Sequence, residues 1–406
     1  MHLIPSHQGR PSDDPIFALN KEATARRQKG ESIVNATVGA LLEDDGKLAI
    51  LPTAARAVHE VPAVEWATYA PIAGSPDFLR AVIEDLLGGE PDLKRIAVAA
   101  ATPGGTGALR HAIANFLEPG QALLTTSWFW GPYQTLCDEA DRKVETFEMF
   151  AGGGLDVAAL DRSLAAQLAS QKRALVMLND PCHNPTGYSM TDAEWAAVVE
   201  CIAARASNGP VTLLVDCAYF LYGARDPRAF LRHLRPLAQR ATILFAWSAS
   251  KSFTHYGLRV GALVACVADD TERAAVEAAL SYSCRGTWSN CSRGGLVAIT
   301  RLLVDPEMAR ACDAERAGFK GLLRARVDAF NAGASERGLR YPRYEGGFFV
   351  TVFDDHPREK AEAMRARGVY VVPQAARKAP GGGGALRVAL CGVAERDVAR
   401  LVDALV

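Results

Sequence analysis

The chain has 406 residues, 49% hydrophobic and 22% charged, with a formal net charge of −1. This is ordinary globular composition, with no global field to draw the protein to nucleic acid or to an anionic membrane. No apolar run approaches the roughly 20 residues of a membrane span, and nine cysteines, an odd number without a C-x-x-C pair, point to free thiols and no metal site.

The opening, "MHLIPSHQGRPSDDP", lacks the basic-then-apolar pattern of a secretory signal, so a cytoplasmic location is expected. In "GSPDFLRAVIEDLLGG", Ser75 is placed to cap a helix, Pro76 to open it and Gly88 to stop it; apolar positions 78, 79, 82, 83 and 86 share one face. Six apolar runs, at 95–102, 121–126, 174–179, 211–216, 242–247 and 260–266, read as buried strands. "GGG" at 152–154 and "APGGGG" at 379–384 read as surface loops. "TDAEWAAVVECIAARA" opens on a capping box, Thr191 to Glu194. The tail changes character: a long Arg/Ala-rich helix, then "GGFFVTVF" and "LRVALCGV" as strands, then a closing helix.

Alternating strands and helices imply an α/β fold: a three-layer α/β/α unit on a mostly parallel sheet, at 48–310. Residues 311–406 form a smaller α+β unit, which the N-terminal segment 1–47 joins.

Ligands of open α/β sheets bind outside the carboxyl ends of the strands. The residues just past five of these strands are polar, glycine-rich or aromatic: "PGGTGAL", "SWFWGPY", "DPCHNPTG", Asp216 with "CAY", and "SASK". Five such clusters suggest one pocket. "GGTGAL", with Gly105 and Thr106, leads into a helix and suits an anion. It is not a Walker A loop, because it has no Gly-Lys-Ser/Thr. Ser248, Ser250 and Arg259 can complete a phosphate site. Trp130 can stack on a planar ring or pack in the core. Asp216 can pair with a protonated ring nitrogen or cap a helix, and Tyr219 and Asn184 can hold a phenolic oxygen. Lys251, desolvated at a strand end, is a competent nucleophile. Together these residues describe a pyridoxal 5′-phosphate pocket. "SASK" is also a Ser-x-x-Lys, which in acyl-transfer enzymes makes Ser248 the nucleophile and Lys251 its base; the Ser-Asp-Asn and Lys-Thr-Gly expected downstream do not occur.

With these residues assembled, the sequence resembles the fold-type I aminotransferases, and most of all their aspartate and aromatic amino acid subgroup. "IVNATVGALLEDDGK", "TYAPIAG", "TPGGTGALR", "CHNPTG", "DCAY", "SASKSFTHYGLRVG", "CRGTWSN" and "LRVALCGV" occur in the family's order. The resemblance implies a ping-pong transamination between an L-amino acid, of aspartate/glutamate or aromatic type, and a 2-oxo acid. Lys251 would carry the cofactor as a Schiff base, Asp216 would face its ring nitrogen, and Tyr219 and Asn184 its 3′ oxygen. Arg387 would clamp the substrate carboxylate, with Gly39 and Asn184 beside it. Tyr69, Arg285 and Ser289 would reach the neighbouring subunit's site in a homodimer, and Arg285 would read a side-chain carboxylate. Tyr133 and Asn179 stand where members of that subgroup carry histidines behind the ring-binding aspartate, and Cys291 replaces a proline. A carbon–sulfur lyase or decarboxylase on the same fold is the alternative outcome. Trp66 and Trp128 are expected in the core, and His183 and His255 behind the site.

Overall fold

The computed structural model describes residues 2–11, 15–375 and 383–406. Its centre is a seven-stranded sheet of β1 (Ala97–Thr102), β2 (Ala122–Thr126), β3 (Lys143–Phe147), β4 (Ala174–Asn179), β5 (Val211–Asp216), β6 (Thr242–Ser248) and β7 (Gly261–Cys266), in the order β1-β7-β6-β5-β4-β2-β3. All pairings are parallel except those of β7, which runs antiparallel to both β1 and β6.

Side chains of these strands alternate between two cores, as the period of two demands. Val176, Val215, Phe245 and Val264 point to one face; Leu175, Leu214, Leu244 and Leu263 point to the other. Helices Pro76–Leu87, Val157–Gln171, Asp192–Arg205 and Arg293–Val304 cover the first face. Helices Gly104–Phe116, Pro132–Glu139 and Asp270–Thr287 cover the second. Burial on both faces explains why the strands read as unbroken apolar runs. The three-layer α/β/α architecture is therefore present, with β7 as the antiparallel exception.

A smaller α+β unit packs around a third core. Its sheet holds β8 (Val350–Asp354), β9 (Val372–Ala375) and β10 (Gly384–Val388), antiparallel in the order β8-β10-β9. The N-terminal segment enters beside it: Val34–Asn35 pair in parallel with Val369–Tyr370. The helix Pro306–Glu336 runs 31 residues. Met308 and Cys312 near its start belong to the sheet core, whereas Leu323, Val327, Phe330 and Ala334 belong to the smaller one. The expected boundary at 310/311 thus falls inside a continuous helix. Arg326, fully buried on that helix, donates to the carbonyls of Cys391 and Leu42 at 2.7 Å each and to Asp44 at 2.8 Å.

Some local expectations are corrected. Ser75 precedes its helix but its side chain makes no capping bond, and Pro76 alone opens it. Trp66 is 44% exposed rather than buried, because its short helix, Ala63–Ala67, contributes nothing to the core; its indole lies over Gly294, where a Cβ would meet it at 2.1 Å. Trp128 is buried as expected. "GGG" forms the turn of a two-stranded ribbon, Phe150–Ala151 with Gly154–Leu155. Of "APGGGG", residues 379–382 lie outside the described residues and Gly384 opens β10.

Candidate active site

The five predicted clusters lie at one edge of the sheet. Asn179 pairs with Asp216 and Asp216 with Ala246, while Gly261 at the start of β7 sits between Thr102 and Ser248. Antiparallel β7 therefore begins where its neighbours end. Position 261 admits only glycine, since a Cβ there would stand 2.5 Å from the carbonyl carbon of Gly104.

Lys251 lies in the short helix Ala249–Ser252, directly after β6. Its Nζ is 5.3 Å from the ring centre of Tyr219 and 5.8 Å from that of Tyr256. Burial lowers its proton affinity; the charge of Asp216 acts in the opposite direction. Asp216 is itself buried, and desolvation raises its carboxyl above the usual range. Three groups pull it back. Tyr133 donates its hydroxyl to Oδ2 at 2.6 Å, the Ala218 N–H donates to Oδ1 at 3.1 Å, and Lys251 adds positive charge. Burial also raises the phenol of Tyr219, with Arg387 and Asn184 acting in the opposite direction. Asn179 donates to the Asp216 carbonyl at 2.8 Å and accepts the Asn184 N–H at 2.6 Å, tying the ends of β4 and β5 together.

The anion cradle stands beside this group. Helix Gly104–Phe116 has no acidic residue in its first turn, so its N-terminus keeps its positive potential. The Arg259 guanidinium lies against Gly104, where a Cβ would sit 2.6 Å from Nη2. It donates to Ser250 Oγ at 3.3 Å and to the Tyr256 carbonyl at 2.8 Å. Ser248 caps the Lys251 helix, accepting the Ser250 N–H at 3.3 Å, and faces Gly105. Thr106 lies in the same helical turn, half-buried.

Arg387, on β10 and buried, donates to the Thr37 carbonyl, and its guanidinium carbon is 4.8 Å from the ring centre of Phe349. Phe349 in turn covers Gly39, where a Cβ would clash at 2.2 Å. The N-terminal segment is held from the other side by Tyr256, whose hydroxyl accepts the Leu41 N–H at 3.1 Å.

Most expected residues meet at this edge; Tyr69, Arg285 and Ser289 are not among them. Tyr69 is 84% exposed, and Arg285 is exposed with its guanidinium on Ser289 Oγ at 2.7 Å. Trp130 stands edge-on to Tyr133, ring centres 5.8 Å apart. His183 is buried against Thr186 and Thr126, and His255 bonds the Phe253 carbonyl. Phe348 is core, between Tyr219 and Tyr222. The resemblance implied that Tyr133 stands behind Asp216, and its hydroxyl does reach that carboxylate; sequence reasoning missed Phe349, Tyr256 and Thr37.

The residues fit pyridoxal 5′-phosphate. A turn of glycine, serine and arginine donors suits a phosphate dianion. A buried carboxylate and an enclosed amine suit the ring nitrogen and the aldehyde. The buried Asn184 Oδ1 has no hydrogen-bond partner in the protein, leaving an acceptor for a ligand O–H or N–H. Among the described residues no group of His, Cys, Asp or Glu could hold a metal ion, and no helix is long and apolar enough to cross a membrane.

Comparison with known proteins agrees. Residues 31–405 match the family model for aminotransferase class I and II. The chain is 30% identical over 322 residues to an aromatic-amino-acid aminotransferase of Paracoccus denitrificans, covering 77% of this chain and 78% of that protein. The solved structure of an aminotransferase from Anaerococcus prevotii is similar at TM-score 0.92 and 30% identity, over 100% of this chain and 98% of that one. An aromatic-amino-acid aminotransferase from Burkholderia pseudomallei, covalently bound to pyridoxal phosphate, is similar at TM-score 0.79 and 25% identity, over 100% and 99% of the two chains. The chain belongs to the class I and II aminotransferases, pyridoxal 5′-phosphate-dependent transaminases that act on amino and 2-oxo acids.

Proposed function

We propose that this transaminase acts on 2-amino acids of the dicarboxylic and aromatic types, with Lys251 as its acid–base group. The observation that carries the reading is one enclosed lysine amine sharing its surroundings with buried Asp216, Tyr219 and Asn184 at the sheet edge. The cofactor, when bound, supplies an electron sink for the bond to the substrate α-carbon. Lys251 would hold its aldehyde, Asp216 its ring nitrogen, Tyr219 and Asn184 its 3′ oxygen, and Trp130 its ring face. Gly105, Thr106, Ser248, Ser250 and Arg259 would hold its phosphate.

The protein's own groups bind the substrate and move its proton. Arg387, braced by the Thr37 carbonyl and Phe349, offers a carboxylate two parallel N–H donors and fixes the substrate's orientation. Gly39 leaves room beside it. Burial favours the neutral form of Lys251, so its amine can take the substrate α-proton and return it. Tyr69, Arg285 and Ser289 complete the site of a second copy, and Arg285 there selects substrates with a distal carboxylate. Aromatic substrates are supported by the relatives' names.

Purified protein loaded with pyridoxal 5′-phosphate should absorb in the visible. Lys251→Ala should lose turnover by at least about 10⁴-fold. A Lys251→Ala protein that transaminates at the wild-type rate would refute the assignment. A panel of amino acids, each scored by the visible spectral change it causes, identifies the donor class. Release of ammonia and pyruvate instead of a 2-oxo acid product would indicate the lyase alternative.

A further inference from the structure

Tyr133 touches the site but takes no part in binding the substrate or moving its proton. It sits in the first turn of helix Pro132–Glu139, on the helix layer behind the sheet, 83 residues from Asp216 in sequence. It is buried, its ring parallel to Phe129 at 6.1 Å and edge-on to Trp130 at 5.8 Å. Those contacts fix the ring and aim its hydroxyl at Asp216 Oδ2, 2.6 Å away.

We infer that Tyr133 is a positioning residue that keeps Asp216 in its carboxylate form, and through Asp216 keeps a proton on the cofactor's ring nitrogen. The inference rests on the reading that Asp216 faces that nitrogen. A carboxylate this deeply buried tends to take up a proton itself, and a protonated Asp216 could not hold another on the ring. A carboxylate has about four acceptor positions; here the Tyr133 hydroxyl and the Ala218 N–H fill two, one on each oxygen. Of the two donors, Tyr133 is the side chain. The other ionisable groups acting on this pair are Lys251, Tyr219 and Cys217.

A phenol differs from an imidazole at this position. Toward the carboxylate form of Asp216 it acts as a donor, and burial beside that carboxylate holds the phenol in its O–H form. An imidazole can arrive as donor, acceptor or cation. The phenol therefore carries a proton to donate whenever Asp216 is a carboxylate.

The test loads wild-type, Tyr133→Phe and Tyr133→His proteins with ring-¹⁵N-labelled pyridoxal 5′-phosphate. It reads the ¹⁵N resonance at saturating cofactor, the cofactor dissociation constant and the circular dichroism spectrum. Tyr133→Phe should move the resonance toward its unprotonated position and weaken cofactor binding about 10- to 100-fold, the worth of one hydrogen bond to a charged group. Tyr133→His should return both toward wild type. An unmoved resonance in a folded, loaded Tyr133→Phe protein overturns the inference alone. So does failure of that variant to fold, because Tyr133 would then be holding the structure and not the proton. Wild-type protein that takes up no cofactor would bring down the underlying reading as well.

Discussion

At the scale of single residues, the site is set by a few side chains whose neighbours leave them no choice of conformation. Gly104 shows how tight the cradle is. Its φ is +71°, in the left-handed region, and the Arg259 guanidinium occupies the space a methyl group would need. Gly104→Ala should cost about 1 kcal/mol in backbone strain and displace Arg259 from the phosphate position. The expected readout is cofactor binding weakened about tenfold, with a wild-type circular dichroism spectrum, measured by equilibrium dialysis. Unchanged affinity would mean that Arg259 is not a phosphate ligand. Much of this chemistry was readable from the chain itself. Lys251, Asp216, Asn184 and the "GGTGAL" turn each stand at or just past the end of an apolar run, so the edge they share could be inferred without coordinates. Phe349 and Tyr256 were not readable in this way, and Tyr133 was readable only through the family resemblance. Each acts on a partner distant in sequence, and an aromatic residue in an apolar neighbourhood looks the same whether it packs or donates.

At the scale of elements, local signals succeeded where the chain carries the reason within a few residues. The Thr191 box is one case. Thr191 accepts the Glu194 N–H at 3.2 Å and Glu194 accepts the Thr191 N–H at 2.7 Å. Glu194 also accepts the Leu155 N–H and the Tyr188 hydroxyl, joining the helix to the Phe150–Leu155 ribbon. Burial pushes its carboxyl up, but these donors prevail and bring it down to about 2. A depressed carboxylate stabilises the fold fully above its ordinary value of 4.5 and loses that contribution as pH falls toward 2. Glu194→Gln should therefore cost about 2 kcal/mol at pH 7, after allowance for its partial exposure, and progressively less below pH 4.5. Urea unfolding of both proteins across that range checks the sign; a gap that widens in acid contradicts it. Strand β3 shows the opposite case. Its sequence, "KVETF", alternates exposed and half-buried positions at the sheet edge. It lacks the continuous apolar run by which the other six strands were found. The antiparallel sense of β7 was equally hidden, because direction leaves no mark on composition.

At the scale of the whole molecule, one chain leaves part of its expected machinery facing outward. Tyr69 and Arg285 are exposed, as are Val64 and Tyr282. If two copies share their sites, inactive chains should rescue each other. Lys251→Ala mixed with a Tyr69→Ala, Arg285→Ala double variant, after unfolding and refolding together, should recover about one quarter of the wild-type sites: half the dimers are hybrid, and each has one intact site. Activity no higher than the sum of the separate proteins would place those residues outside any shared site. Within the chain, the helix Pro306–Glu336 carries a different constraint. Its early side chains are seated in one core, its later ones in another, and Arg326 grips three distant groups at once. An α-helix turns about 100° per residue. One residue inserted between Cys312 and Leu323 would leave the near half seated and swing the far half a quarter-turn out of phase. Arg326 would then point away from Leu42, Asp44 and Cys391. Loops elsewhere can absorb a change in length, but this rod works as a gauge, and its count of residues sets the angle at which the two halves of the protein meet.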